Sequence, residues 1–286
     1  MSSDILANLS AHMDTFSKGQ KRIAEYIITS YNKAAYLTAN QLGQVVGVSE
    51  STVVRFAAEL GYDGYPGMQK ALQEMVRHKL TSVQRIEVSQ DRMGDSDILT
   101  QVLHADMEKL RLTLEEVDRD SFDGAVDAIA NARRIYILGV RSASAIASFM
   151  GFYFNLIFES VTLIHTTSVS EVFEQLFRIG PEDVLVGISF PRYSSRTVQA
   201  MRFASDRGAT TIAITDSPSS PIARWAGYRL LAKSDMVSFL DSLVAPLSLV
   251  NALLMAIAKK RLGEISSVFE TLEQIWEEYD VYEKSE

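Results

Sequence analysis

Residues 183–197 read DVLVGISFPRYSSRT. The run Val184-Leu185-Val186-Gly187-Ile188 carries no charge and no polar alternation, as expected of a strand buried on both faces of a sheet. It stops at Ser189 and opens into a loop with Ser194, Ser195 and Thr197, after which a helix is expected near 195–207. A strand that ends in serine and feeds a helix is a seat for an anion, because the helix start offers unpaired N–H groups. Pro191 and Arg192 stand in this loop where a glycine would suit such a seat, and Tyr193 follows.

The same alternation extends to both sides. IYILGV (135–140) precedes a helical run at 142–158, and VTLIHT (161–166) precedes a helix near 168–178. ATTIAIT (209–215) precedes a short helix near 219–225, and YRLLA (228–232) a helix of about 238–261. Apolar strands separated by helices predict an α/β domain, a five-stranded parallel sheet in a flavodoxin-like three-layer sandwich. Ligands in such sheets bind at the carboxyl ends of the strands. Three of those ends are rich in hydroxyls: Ser142 and Ser144; Ser189, Ser194, Ser195 and Thr197; and Thr215, Ser217, Ser219 and Ser220 around Asp216. In one loop such residues read first as helix caps and turn formers, ahead of a ligand site. Three loops converging on one edge favour a ligand site.

The first 80 residues show helical periodicity only, with Ile5 and Leu9, then Ile23 and Ile27, spaced by four. In LTANQLGQVVGVSESTVVRFAAELGY (37–62) a helix at about 39–46 would bury Leu42 and Val46, with Gly47 in the turn and Val48 filling the gap between helices. Ser49 is placed to cap a second helix at about 50–60 that buries Val53, Phe56 and Leu60. Its other face carries Ser51, Thr52 and Arg55. Small hydroxyls at a helix start admit it to a major groove, and an arginine one turn later reaches a base edge or a phosphate. An ordinary helical hairpin with a capping serine fits the same spacing. Lys18, Lys21, Arg22 and Lys70 are the cations placed to clamp flanking phosphates.

Composition narrows the choices. The chain of 286 residues suffices for two domains, and its net charge of −8 is uneven: +1 over residues 1–80 and −9 over the rest. A polyanion would therefore meet the N-terminal part. With no cysteine and four scattered histidines (His12, His78, His104, His165), neither disulfides nor a metal site are expected, nor is a cofactor. The uncharged stretches 142–158 and 242–258 are too short to span a bilayer, and MSSDILANLS has no secretory pattern. A cytoplasmic protein without membrane contact is the expectation.

The segments SKGQKRIAEYI and LTANQLGQVVGVSESTVVRFAAELGYDGYPGMQKAL resemble the N-terminal domain of the RpiR family of bacterial transcriptional regulators. GVRSASAIA, VLVGISF and FASDRGATTIAITDSPSSPIARWA are similar to the sugar isomerase (SIS) domain, which in that family senses phosphosugars. The resemblance implies a helix-turn-helix domain over 1–78, a linker over 79–97 and a SIS domain with flanking helices over 98–286, its core at 121–260. Departures stand out: Arg141 occupies the second glycine of a Gly-x-Gly-x-Ser type loop, Ala143 its serine, and Pro191-Arg192 the usual Ser-Gly. Glycine's φ > 0 freedom would be lost at both arginines. Either they bind an anion through their side chains, or they fill the old pocket and pair with acids such as Glu171 or Asp216.

The reading these residues support is a transcriptional regulator, a repressor of a catabolic operon. It would bind double-stranded DNA, a palindromic operator, through Ser49, Ser51, Thr52, Arg55 and Lys70. A small anionic metabolite (phosphosugar or related acid) would be held by Arg141, Ser142, Ser144, Ser189, Arg192, Ser194, Ser195, Thr197, Thr215, Ser217 and Ser220. Palindromic operators call for a homodimer or homotetramer. Ile98, Val102, Leu110, Leu114 and Val117 mark a helix face expected to pack on the second domain. Ile265, Val268, Phe269, Leu272, Ile275, Trp276 and Tyr279 form a stripe that is either an oligomer interface or, slightly favoured, docked on its own domain. The alternatives are a sugar-phosphate isomerase with Glu171 or His165 as its base, and a binding module whose DNA-reading helix is vestigial.

Overall fold

The computed structural model describes residues 5–79, 83–84, 86, 97–165, 168–234 and 240–283. The chain divides into two compact units, residues 1–96 and 97–286. Most of the stretch expected to be a linker lies outside the described residues, as do Thr166 and the segment 235–239.

The first unit is helical: α1 Ile5–Ala11, α2 Lys18–Thr29, α3 Tyr31–Ala34, α4 Ala39–Val46, α5 Glu50–Glu59 and α6 Gly64–Lys79. Its core takes Ile5, Leu9, Ile23, Ile27, Leu42, Val53 and Phe56, all under 4% exposed. Leu60, expected inside, is half-buried; α5 ends at Glu59, and Ala57 takes the buried position instead. The carbonyls between α3 and α4 are gathered by α6: Tyr65 and Gln69 both donate to the Leu37 carbonyl, at 2.6 and 2.8 Å, and Gln73 to that of Ala35.

In the second unit, α7 Ile98–Glu116 and α8 Arg119–Ala130 precede β1 Arg134–Gly139, α9 Ala143–Ile157, β2 Val161–Leu163 and α10 Val169–Leu176. Then follow β3 Asp183–Ile188, α11 Ser195–Asp206, β4 Thr210–Thr215, β5 Tyr228–Leu231, α12 Val244–Lys260 and α13 Leu262–Glu278. The five strands pair in parallel in the order β2-β1-β3-β4-β5. Period-two alternation sends Ile135, Ile137, Val184, Val186, Ile212 and Ile214 to a core shared with α8, α9 and α12. Tyr136, Leu138, Leu185 and Ala213 face the other way, toward α10 and α11. Three layers result, and the strands are covered on both sides, as their apolar runs require. Arg133 anchors the amino edge, gripping the fully buried Asp183 at 2.9 and 2.8 Å.

Three expectations are corrected. Between residues 219 and 225 there is only a 3₁₀ turn, Ala223–Trp225, because Pro218 and Pro221 each remove a backbone donor. On α7 the expected face is largely open: Ile98, Val102 and Leu114 are exposed, while Lys109 and Thr113 are buried. Polar anchors set this rotation, since Thr113 Oγ1 accepts from the Lys233 N–H and Asp106 accepts from the Ser242 hydroxyl. On α13 only Ile265 is buried; Leu272 and Trp276 are half-buried and Val268, Phe269, Ile275 and Tyr279 stay exposed, so the stripe docks on its own domain at its start and is largely open beyond it.

Candidate functional site

In the first unit, α4 and α5 form the pair that the spacing 37–62 predicts. Thr38 and Gln41 close a capping box on α4, which ends at Gly47 with φ of 70°. The turn is tight enough that a Cβ on Gly43 would come 2.8 Å from the Val48 carbonyl oxygen, so the sequence needs glycine at this second position too. Ser49 caps α5 by accepting from the Thr52 N–H at 3.3 Å. Its hydroxyl also lies 2.9 Å from Ser51 Oγ and 2.8 Å from Thr52 Oγ1. Ser49 is thus engaged as a cap.

The outward face of α5 presents Ser51, Val54 and Arg55. Arg55 Nε donates to the Ser51 carbonyl at 3.2 Å, which holds the guanidinium along the start of the helix. Thr52 is half-buried, its methyl turned toward Gly19 of α2. Val54, 40% exposed between the two polar residues, went unread in the sequence although it lies three after Ser51. An exposed valine there offers contact to a thymine methyl. Lys70 is exposed on α6. Arg22 is exposed, and its Nη1 donates to the Val46 and Gly47 carbonyls at 3.2 Å, closing the C-terminus of α4.

In the second unit, Gly139 pairs with Ile188 and Ile188 with Ile214, so the loops after β1, β3 and β4 leave adjacent strands at one edge. The strand order reverses between β1 and β3. From β1 the chain crosses one face through α9 to β2; from β3 it crosses the other through α11 to β4. This parting of the loops opens the crevice where such sheets hold ligands.

Ser142 and Ser194 stand at the N-caps of α9 and α11, yet neither side chain bonds its helix, and neither helix has an acid in its first turn. Ser17, Thr38, Ser49, Asp97 and Asp118 all cap theirs. Among the described residues two polar atoms of the edge are orphaned: Thr197 Oγ1 and Ser220 Oγ are buried without a hydrogen-bond partner. A buried hydroxyl left unpaired costs about 1–3 kcal/mol, so a native protein keeps one for a reason.

The remaining hydroxyls divide. Ser189 is buried and accepts from the Ser194 N–H at 3.2 Å. Ser144 donates to the Arg141 carbonyl at 2.6 Å, and Ser217 sits 2.8 Å from Ser219, so both serve their own turns. Ser195 is exposed. Asp216, 7% exposed, takes the Tyr193 hydroxyl at 2.8 Å and Thr215 at 3.3 Å, both on Oδ1. That bond ties the β3 loop to the β4 loop.

Both arginines adopt the left-handed backbone that glycine favours: φ is 61° at Arg141 and 63° at Arg192. The left-handed conformation persists without glycine, at roughly 1–2 kcal/mol for each residue. Arg141 is exposed, and its guanidinium has no partner among the described residues, so it is not paired with Glu171 or Asp216. His165 and Glu171, the two candidate bases, are both exposed. Among the described residues no cluster of histidines and acids suits a metal ion, and no helix is long and apolar enough to cross a membrane.

Comparison with known proteins matches residues 3–79 to the helix-turn-helix domain of the rpiR family and residues 128–256 to the SIS domain. The HTH-type transcriptional regulator HexR of Pseudomonas aeruginosa is 24% identical over 224 residues, covering 77% of this chain and 76% of its own. A crystal structure of the sugar isomerase domain of an RpiR transcription factor from Sphaerobacter thermophilus is 31% identical with a TM-score of 0.60, covering 63% of this chain and 99% of that one. The NanR protein of Vibrio vulnificus, complexed with ManNAc-6P, is 22% identical with a TM-score of 0.59, over 95% of this chain and 98% of that one.

Proposed function

The chain belongs to the RpiR family of transcriptional regulators, DNA-binding proteins with a helix-turn-helix and a SIS domain, and from that membership we propose how this member works. It represses a catabolic operon and is switched by a small anionic metabolite of the phosphosugar class, held at the carboxyl edge of the sheet. The observation that carries the effector site is the pair of buried hydroxyls on Thr197 and Ser220, unpartnered among the described residues, beside two helix starts whose N-cap serines do not bond their own helices. A phosphate would supply acceptors to both. The ManNAc-6P held by the NanR relative supports the same ligand class.

On the DNA side, Ser51, Val54 and Arg55 read bases from α5, Ser49 and Thr52 set the helix start, and Lys70 contacts phosphate. A palindromic operator is met by two copies of the chain in a homodimer or homotetramer. The open apolar stripes on α7 and α13 are consistent with such assembly. The protein works in the cytoplasm and catalyses nothing at the SIS edge, a reading supported by the regulator names of its relatives.

Selection of sheared genomic DNA on the purified protein tests this. A two-fold symmetric site should be enriched, and Arg55→Ala should weaken it by about 1–3 kcal/mol. Enrichment of no sequence, or isomerase turnover of a sugar phosphate, would overturn the reading.

A further inference from the structure

Resting on the effector site just proposed, we propose that the ligand carries two anionic groups, a phosphate and a carboxylate, and that Arg141 and Arg192 read the second. A phosphate alone is provided for without them. The starts of α9 and α11 point the positive ends of two helices at the crevice, and the hydroxyls of Thr197 and Ser220 wait unpaired at the same edge. The two arginines add positive charge beyond what one phosphate needs. They lie on the loops of the two adjacent strands that flank the crevice, one on each side.

Their backbones carry a second argument. Among the described residues only three non-glycine positions have positive φ, and two of them are these arginines. Glycine would fit both turns without strain, so what the arginine brings must reside in its side chain. A guanidinium is a planar fork that matches a carboxylate with two parallel hydrogen bonds. Arg141 has no ion-pair partner among the described residues that would account for it otherwise. Asp216, the buried acid of the neighbouring loop, is bonded by Tyr193 and Thr215 and suits a ligand hydroxyl, not its carboxylate.

Calorimetric titration of the full chain with matched probe pairs tests the proposal. One pair is 6-phosphogluconate and glucose 6-phosphate; the other is 3-phosphoglycerate and glycerol 3-phosphate. Each pair shares its phosphate and differs in the carboxylate. In at least one pair the acid should bind ten-fold or more tightly, and in Arg141→Gly and Arg192→Gly that preference should fall below about three-fold. Glycine accepts both backbone conformations, so these variants keep the fold. Equal binding within both pairs, or an unchanged preference in both variants, overturns the two-anion reading and leaves the phosphosugar site standing. If neither the four probes nor inorganic phosphate bind, both readings fall.

Discussion

The Tyr193 hydroxyl donates to Asp216 Oδ1 at 2.8 Å across 23 residues of sequence, and this bond fastens the loop after β3 to the loop after β4. Both loops belong to the proposed effector site, so their spacing sets its shape. Tyr193→Phe removes the bond and keeps the ring. It should cost about 1 kcal/mol of stability and weaken effector binding by about five- to ten-fold. Calorimetry on the best-binding probe beside a urea titration separates the two effects; unchanged affinity would mean the loops hold their places without this bond.

Thr197 behaves in the opposite sense. Its hydroxyl is buried and unpartnered, so Thr197→Val removes an unmet polar group from the same volume. The ligand-free protein should become more stable by about 1 kcal/mol, while affinity for the phosphorylated ligand drops roughly ten-fold. A variant less stable than the parent would show that the hydroxyl is satisfied in solution.

Gly43 tests the turn of the helix-turn-helix. A methyl there would sit 2.8 Å from the Val48 carbonyl oxygen and 3.4 Å from the Glu50 nitrogen, and both obstacles are backbone. Gly43→Ala should therefore displace α5 from α4, destabilise the first unit by about 1–3 kcal/mol and lower DNA affinity. Unaltered thermal unfolding and DNA binding would contradict this close approach.

Tyr65 gives the first unit a pH dependence. Burial pushes its hydroxyl up to about 12, from the usual 10.0, while the unfolded chain ionises near the usual value. The folded-state value is raised, so this stability is complete below pH 10 and is lost as pH climbs toward 12. Tyr65→Phe lacks that dependence and gives up the bond to the Leu37 carbonyl, for about 1 kcal/mol at pH 8. Urea titrations from pH 8 to 11.5 should show the parent's advantage shrinking as pH rises. A constant gap would exclude ionisation at this site.

What could be read from the sequence was what short-range spacing encodes. The strand runs 135–140, 183–189 and 209–215, and the pair of helices around Gly47, follow from periodicity and caps within a few residues. Contacts between distant residues were not legible: Arg22 on the Gly47 carbonyl, Tyr193 on Asp216, Thr113 on the Lys233 N–H. The left-handed backbones of Arg141 and Arg192 were hidden as well, because arginine gives no sign of positive φ. The stripes on α7 and α13 were visible as stripes, but an apolar face does not say whether it meets its own core or another surface.

The central claim is that a ligand at the sheet edge controls DNA binding, and fluorescence anisotropy on the selected operator tests it most directly. Operator affinity should change at least ten-fold between ligand-free protein and protein saturated with the tightest phosphorylated probe, and Thr197→Val should need more probe for the same change. Operator affinity that stays constant while calorimetry shows the probe fully bound would contradict the account.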